Sequence, residues 1–392
     1  MKIKQYLVLF ALLTSIVIAN FSPDESIKII MTANVNGETD PCGWKKRPMG
    51  GLARKSTIIN DNRIEGYSQL IVDAGNLFFK KDNISPGVTM ETSKATAEII
   101  VDCFNAIGCD AFSPSSQDFA GGFDFLKSLK DKANFPFISA NITNKYGEQI
   151  FEPYVIKIVK NKKVAFIGLS SKFISDGIIV KDPFKALEKY LDEIESIADM
   201  IVLLFNASEK DLNTLKNKDY NIDLAIRSRS NLPAKTSADG GKNSIPIYSL
   251  GSRGKYLYDF DIRIEDSENK FLDIKQLQSE LSNTNNFLKN YEINFNESLD
   301  LSLQFKDDPE VLKNIEKKLQ LKNDLEMKLN EKVNYFSFTK HALDQKINDD
   351  QSIISIIDRG KELINELYGP ALPSEDHKGR LPGDPHYRHN HW

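Results

Sequence analysis

Short apolar runs bounded by polar residues recur along the first two thirds of the chain. Ile27-Lys28-Ile29-Ile30-Met31 is one, and Leu70-Ile71-Val72-Asp73-Ala74-Gly75 repeats the plan with a loop behind it. Phe137-Ile138-Ser139-Ala140, Val164-Ala165-Phe166-Ile167-Gly168-Leu169 and Met200-Ile201-Val202-Leu203-Leu204-Phe205 read as further strands. The last two are continuously apolar, as strands buried on both faces are. Leu224-Ala225-Ile226, Ile245-Pro246-Ile247-Tyr248 and Leu257–Ile262 complete the set. Helical patterns over Ser93–Ile107 and Ala186–Ala198 fall between them. This alternation predicts α/β layers over residues 20–268, with polar chemistry on loops that follow strand C-termini.

From Phe271 the period changes. Ile274, Leu277, Leu281, Thr284, Leu288, Tyr291 and Phe295 fall three or four apart, as one seam of a coiled coil does. Asp307-Asp308-Pro309 supplies a turn, an N-cap and a proline at the first helical position. A second seam follows at Leu312, Ile315, Leu319, Leu329 and Val333, weakened in its middle by Lys322 and Glu326. The expected element is an antiparallel helical hairpin over 269–334, able to meet a protein partner through residues 271–333. Two separate surface helices are the alternative. Tyr335–Thr339 alternates like a strand and Ile353–Leu367 is amphipathic, so residues 335–368 are expected to return to the main domain.

The two ends differ from everything between them. Lys2 and Lys4 precede an apolar run from Tyr6 to Ala19, closed by Val17-Ile18-Ala19. That is the layout of a secretory signal over residues 1–19, and the run is too short to span a bilayer comfortably. The expectation is an exported protein, periplasmic or extracellular, with no membrane span after cleavage. Residues 369–392 turn to Pro, Gly, His and charge, the composition of a disordered tail.

Composition then narrows the chemistry. The 392 residues carry 51 Lys+Arg against 55 Asp+Glu, a formal charge of −4, which gives no reason to expect a nucleic-acid partner. Three cysteines cannot build a disulfide scaffold or a four-cysteine zinc site. Cys103 and Cys109 read as buried packing. The five histidines stand at 341, 377, 386, 389 and 391, so the whole α/β region has none.

Four motifs occur in one order: Thr32-Ala33-Asn34-Val35-Asn36-Gly37, Asp73-Ala74-Gly75-Asn76, Asn134–Asn141 and Val164–Leu169. That order resembles the 5′-nucleotidase / UDP-sugar hydrolase branch of the calcineurin-like metallophosphoesterases, over residues 27–263. The stretches Glu38–Trp44, Gly50–Arg54, Ser116–Gly122 and Arg253–Leu257 are similar to an exported UshA-like subgroup that includes selenoproteins. Its members commonly carry a second Cys or selenocysteine where this chain has Trp44, which makes Cys42 a redox candidate without its local partner.

The resemblance implies a two-sheet αββα sandwich, here extended by the C-terminal helical hairpin. It also implies two divalent cations about 3.5–4 Å apart, held by carboxylates and imidazoles, that clamp a phosphate and activate water. The positions of those ligands fall here on Asn34, Asn36, Asn76, Ser116, Gln117, Asn206 and Arg229, leaving Asp118 as the remaining acid. Neutral amides cannot offset two buried dications, and an arginine repels them. A degraded centre with no resident cofactor is therefore expected, and a divalent metal enters only if the chain is a phosphomonoester or nucleotide hydrolase with a non-standard site. Arg227 and Arg229 could instead bind a phosphate- or nucleotide-like anion, helped by backbone N–H groups at Gly50 and Gly51 ahead of a helix. A third reading makes the hairpin a docking element of an exported redox system.

Overall fold

A computed structural model describes residues 23–24, 26–43, 47–236, 245–266, 270–292, 305, 307–330 and 334–369. The N-terminal apolar run, Trp44, Phe295, Val333 and the histidine-containing tail lie outside these residues.

In chain order, β1 (Ile27–Thr32), β2 (Pro41–Cys42) and β3 (Met49–Gly50) lead into α1 (Leu52–Ile64). Next come β4 (Ser68–Asp73), α2 (Val88–Ile107), β5 (Ala111–Phe112), a 3₁₀ turn at Ser116–Phe119 and α3 (Phe123–Lys132). The middle holds β6 (Ile142–Asn144), β7 (Tyr154–Val159), β8 (Lys162–Ser170), β9 (Ile178–Val180) and α4 (Pro183–Glu195). Then follow β10 (Met200–Asn206), α5 (Glu209–Lys216), β11 (Leu224–Ser228), β12 (Pro233–Thr236), β13 (Ile247–Leu250) and β14 (Tyr256–Arg263). Last are β15 (Leu272–Asp273), α6 (Ile274–Glu292), α7 (Pro309–Asn330), β16 (Tyr335–Ala342) and α8 (Gln351–Tyr368).

The described residues divide into two compact units: those up to Lys28 with Arg63–Gln69 and those from Phe260 to Phe338 form one, and those from Ile29 to Asn62, from Leu70 to Asp259 and from Thr339 onward form the other. The larger unit is α/β with two mixed sheets. One runs β16-β14-β1-β4-β5, and the other β12-β13-β11-β10-β8-β7. In the second sheet β8, β10, β11 and β13 are parallel, with β7 and β12 antiparallel at the edges. All seven residues of β10 are buried, which is why its sequence shows no alternation.

The two sheets meet at Gly168 of β8. A Cβ there would lie 2.3 Å from the Ile138 carbonyl oxygen and 2.8 Å from Ser113 Oγ. Neither neighbour can yield cheaply, because one is backbone and the other a buried short side chain. Gly168→Ala is therefore expected to destabilise by about 2–3 kcal/mol through overpacking, read as a lower denaturant midpoint at unchanged slope.

Beneath the first sheet an aromatic group supports the loop after β4. Phe112 stands edge-on to Phe137 at 4.7 Å and to Phe78 at 5.2 Å, all three fully buried. Two helix starts differ from the apolar pattern. α2 begins at Val88, ahead of the pattern that starts at Ser93, since its exposed first turn carries no hydrophobic period to mark it. α4 begins at Pro183, where Asp182 caps Phe184 and Lys185 through 3.0 Å N–H bonds.

In the smaller unit α6 packs on α7. Ile274, Leu281, Thr284 and Leu288 are buried on one helix, Ile315 and Leu325 on the other. Lys322 lies at the edge of that contact and reaches Glu326 at 4.0 Å, so Leu325 fills the middle of the seam. β15 pairs in parallel with β16 through Leu272–Tyr335 and Asp273–Phe336.

Candidate functional site

The chemistry-bearing positions gather where strands end. Asn34 and Asn36 follow β1, Asn76 follows β4, the 3₁₀ turn follows β5, and Asn206 closes β10. Ser228 closes β11 in register with Asn206, and Arg253 lies between β13 and β14. This is the edge at which open α/β sheets present ligands.

The backbone here is unusual. Asn34, Asn36, Asn76, Arg229 and Arg253 all have left-handed φ, between 53° and 65°. Asparagine tolerates that region better than most residues, and arginine does so only when the surroundings enforce it. Asn36 and Gly37 (φ 56° and 70°) are the central residues of a turn closed by Glu38 N–H donating to Val35 O at 3.2 Å. An Asn-Gly pair suits such a turn, which needs two successive positive φ values. A Cβ on Gly37 would also lie 2.9 Å from the Phe78 carbonyl oxygen.

The amides bind one another. Asn76 Nδ2 donates to Asn34 Oδ1 at 3.0 Å, and Asn34 Nδ2 donates to the Gly251 carbonyl at 2.5 Å. Arg229 N–H also donates to Asn34 Oδ1 at 2.9 Å. Asn206 Nδ2 reaches Ser228 Oγ at 2.8 Å and Asn76 Oδ1 at 3.4 Å. Asn36 bridges two loops: its Nδ2 donates to Gln117 Oε1 at 2.8 Å, and its Oδ1 accepts from Arg253 N–H at 2.9 Å. Asn34 and Asn36 thereby hold the arginine-bearing turns 229 and 253 in their left-handed conformations.

Asp118 is fully buried. Its Oδ1 accepts N–H bonds from Leu77 (2.7 Å) and Phe78 (3.0 Å), and its Oδ2 from Asn76 and Ser115 (both 2.9 Å). The Ser115 hydroxyl lies 2.8 Å from Oδ2 and 2.7 Å from Asn76 Oδ1. Burial pushes the carboxyl up to about 6, against the pull of hydrogen bonds from Phe78, Ser115 and Leu77. Every oxygen lone pair is thus spent on the loop 76–78 and the 3₁₀ turn. Ser116 is buried beside it, and Gln117 is half-buried.

The cationic and glycine positions fare differently. Arg227 donates Nε to the Ala207 carbonyl at 3.0 Å and pairs with Glu209 at 2.6 Å, so its guanidinium is committed. The Arg229 side chain is exposed. Gly50 N–H is bonded to the Leu343 carbonyl, and the next helical N–H, of Leu52, to the Thr39 carbonyl. Cys42 is a half-buried free thiol, pushed up by burial and by Glu38 and pulled back by Arg253, Lys255 and Lys80. Cys103 and Cys109 are buried, and burial pushes Cys103 up to about 12.

Sequence reading passed over several residues that the fold brings here: Ser115, Gly251, Glu38 and Lys80. Ser115 had a signal, the Ser-x-x-Asp spacing of a capping box ending at Asp118. The others are joined only by tertiary contacts and left no pattern in the chain.

The residues present do not fit a pair of divalent cations. Three of the positions hold neutral amides that are already bonded to each other, the nearby carboxylate is saturated by donors, and Arg229 turns its N–H toward Asn34. Among the described residues no group of three or more His, Cys, Asp or Glu is placed to hold a metal.

The fold is nevertheless that of known phosphoesterases. The calcineurin-like phosphoesterase YfkN from Bacillus subtilis superposes with a TM-score of 0.59 at 17% identity, over 88% of this chain and 99% of that one. The 5′-nucleotidase precursor from Thermus thermophilus gives 0.60 at 13% identity, over 87% and 59%. In sequence, the chain is 24% identical over 299 residues to the trifunctional nucleotide phosphoesterase protein YfkN of Bacillus subtilis (strain 168), covering 63% of this chain and 20% of that protein. It is 26% identical over 263 residues to 5′-nucleotidase of Homo sapiens, covering 59% and 44%. Protein UshA of Salmonella pullorum is 33% identical over 122 residues, covering 31% and 22%. The chain spans less than half the length of these curated relatives. No family model matches it.

Proposed function

We propose that this chain is an exported, metal-free counterpart of the 5′-nucleotidases that binds a nucleotide-like or other phosphate-bearing anion without hydrolysing it. One observation carries the reading: Asn76 Nδ2 donates to Asn34 Oδ1 at 3.0 Å, a hydrogen bond between two neutral amides at positions where the resemblance expects metal-binding carboxylates. Hydrolysis in this fold draws on two cations to polarise phosphate and generate hydroxide, and the donor set here offers them no charge. Binding asks for less. Arg229 follows β11 with its backbone fixed by Asn34 and its side chain exposed, and a guanidinium grips phosphate through paired N–H groups. The nucleotide character of the ligand is supported by the relatives alone, and export by the signal-like N-terminus. Among the described residues no helix is long and apolar enough to cross a membrane.

The test is metal analysis of the purified protein, then assay on AMP and a generic phosphate ester with added Mn²⁺ or Mg²⁺. The expected result is no stoichiometric metal, no metal-dependent turnover, and a rise in Tm with AMP that Arg229→Ala reduces. Bound metal together with turnover would overturn the proposal, and so would an AMP response identical in both proteins.

A further inference from the structure

α8 packs on α2, with Ile353 and Ile357 of its first half buried. Its second half is mostly bare. From Glu362 to Tyr368 Ile364 alone is not exposed, and Leu363 and Leu367 are 55% and 64% exposed. A Cβ on Gly360 would strike the Ile99 side chain, so the two helices touch at that turn. Beside it lies a groove of about 510 Å³, lined from α8 by Ile356, Arg359, Leu363 and Glu366 and from α2 by Ile99 and Asp102.

The bare face has a helical period. Ile356, Arg359, Leu363, Glu366 and Leu367 follow one another at the spacing of a packing seam, with one cation and one carboxylate on it. Those two charges are not used within the chain. Asp102 pairs with Lys132 at 2.8 Å and Lys361 with Asp40 at 2.6 Å, whereas Arg359, Glu362 and Glu366 have no ion-pair partner among the described residues. Arg359 stands one helical turn before Leu363 and Glu366 one turn after it. A second α8 laid antiparallel, with Leu363 at the centre, therefore sets Arg359 of each copy against Glu366 of the other. A parallel copy would set like charges together. The face is thus complementary to itself, as a contact closed by a two-fold axis requires.

We propose that the groove between α2 and α8 docks the α8 of a second copy of this chain. Leu363 and Leu367 of each copy enter the groove of the other, and two Arg359–Glu366 pairs flank them. A few helical turns fall short of the standard interface of about 1,600 Å², so the dimer is weak. Its ion pairs lie at an exposed rim, so it weakens further in salt. Dimerisation through this face is independent of what binds at the strand ends.

Sedimentation of the full chain at low ionic strength is expected to show a monomer–dimer equilibrium that added salt shifts toward monomer. Arg359→Glu and Glu366→Arg change exposed residues and keep the fold. Each is expected to weaken association about tenfold or more, because each faces two pairs of like charge across the two-fold. Mixed in equal amounts, the two variants should associate at least as tightly as the native chain, since both pairs are then of opposite sign. Recovery in the mixture supports the proposal, and loss in both variants without recovery overturns it. Self-association that both variants keep overturns it too. A native chain that stays monomeric does the same, whether a different protein, the chain's own residues 370–392 or nothing covers the groove. Leu363→Ser leaves every charge in place and should weaken the dimer several-fold; an unchanged equilibrium overturns the assignment to this face.

Discussion

Asp118→Asn is expected to cost about 3 kcal/mol or more, although it changes one atom. Four backbone N–H groups and one hydroxyl converge on the two carboxylate oxygens, and the group is fully buried. An asparagine offers one oxygen in place of two and turns an NH₂ toward N–H groups that are themselves donors. At least two donors lose their acceptor, and each orphaned buried donor costs about 1–3 kcal/mol. Asp118→Ala, which strands all of them, is expected to cost about 4 kcal/mol or more and to loosen the loop 76–78. Denaturant unfolding measures the first effect, and amide exchange at Leu77 and Phe78 locates the second. A loss below about 1 kcal/mol for Asp118→Asn would mean that the loop finds other acceptors.

The same residue carries a pH signature. An acid raised in the folded state to about 6 holds its proton there after the unfolded chain has released it. Its contribution to stability is therefore fully present below the unfolded pKa near 3.8 and is lost as pH rises through about 6. Asp118→Asn removes that slope. The stability gap between the native protein and the variant should narrow between about pH 4 and about pH 6.

How far the chain could be read without coordinates differs between fold and site. The strands were legible because β10 and β8 are buried on both faces, so their runs are apolar without a break. Helix starts were not, where an exposed first turn such as Val88–Met90 carries no hydrophobic period. The amide positions were legible through their spacing along strand ends. What those amides do was not: the pairing of Asn34 with Asn76, 42 residues on, and of Asn36 with Gln117, 81 residues on, exists only after folding. Arg227 and Arg229 look alike in sequence, two residues apart on one strand end. Glu209, from a helix that begins after β10, commits the first and leaves the second exposed. The hairpin seam shows the converse case. Lys322 occupies a position where period alone expects an apolar residue, and its neighbour Leu325 fills the contact because the helix face is wide enough for either.

Lys55→Met is expected to be the more stable protein at pH 7, by about 1–2 kcal/mol, with an advantage that disappears as the pH is raised. Lys55 is 1% exposed within α1, and its Nζ has no hydrogen-bond partner. The face of Phe104 offers partial compensation, with its centroid 5.1 Å away. Burial pulls the ammonium down from 10.5 to about 8, while Asp73 and Cys109 draw it the other way. Below pH 8 both folded and unfolded chains carry the proton, and the folded protein bears the full cost of about 3 kcal/mol for that shift. Between pH 8 and 10.5 only the unfolded chain still holds it, so this group makes folding more favourable as pH rises. Methionine fills a similar volume and does not titrate. Its gain at pH 7 falls short of the full cost because Asp73 loses a positive neighbour. Asp73 keeps the Thr32 hydroxyl at 2.5 Å and the Gly75 N–H at 2.9 Å, which hold its carboxylate without the lysine. The buried thiols of Cys103 and Cys109 lower alkaline stability in both proteins and largely cancel in the difference. Paired urea titrations from about pH 7 to pH 10.5 measure that difference directly. A constant gap would mean that Lys55 binds its proton equally well in the folded and unfolded chains, so that burial does not lower it. A gap that widens toward pH 10.5 would reverse the sign of the coupling.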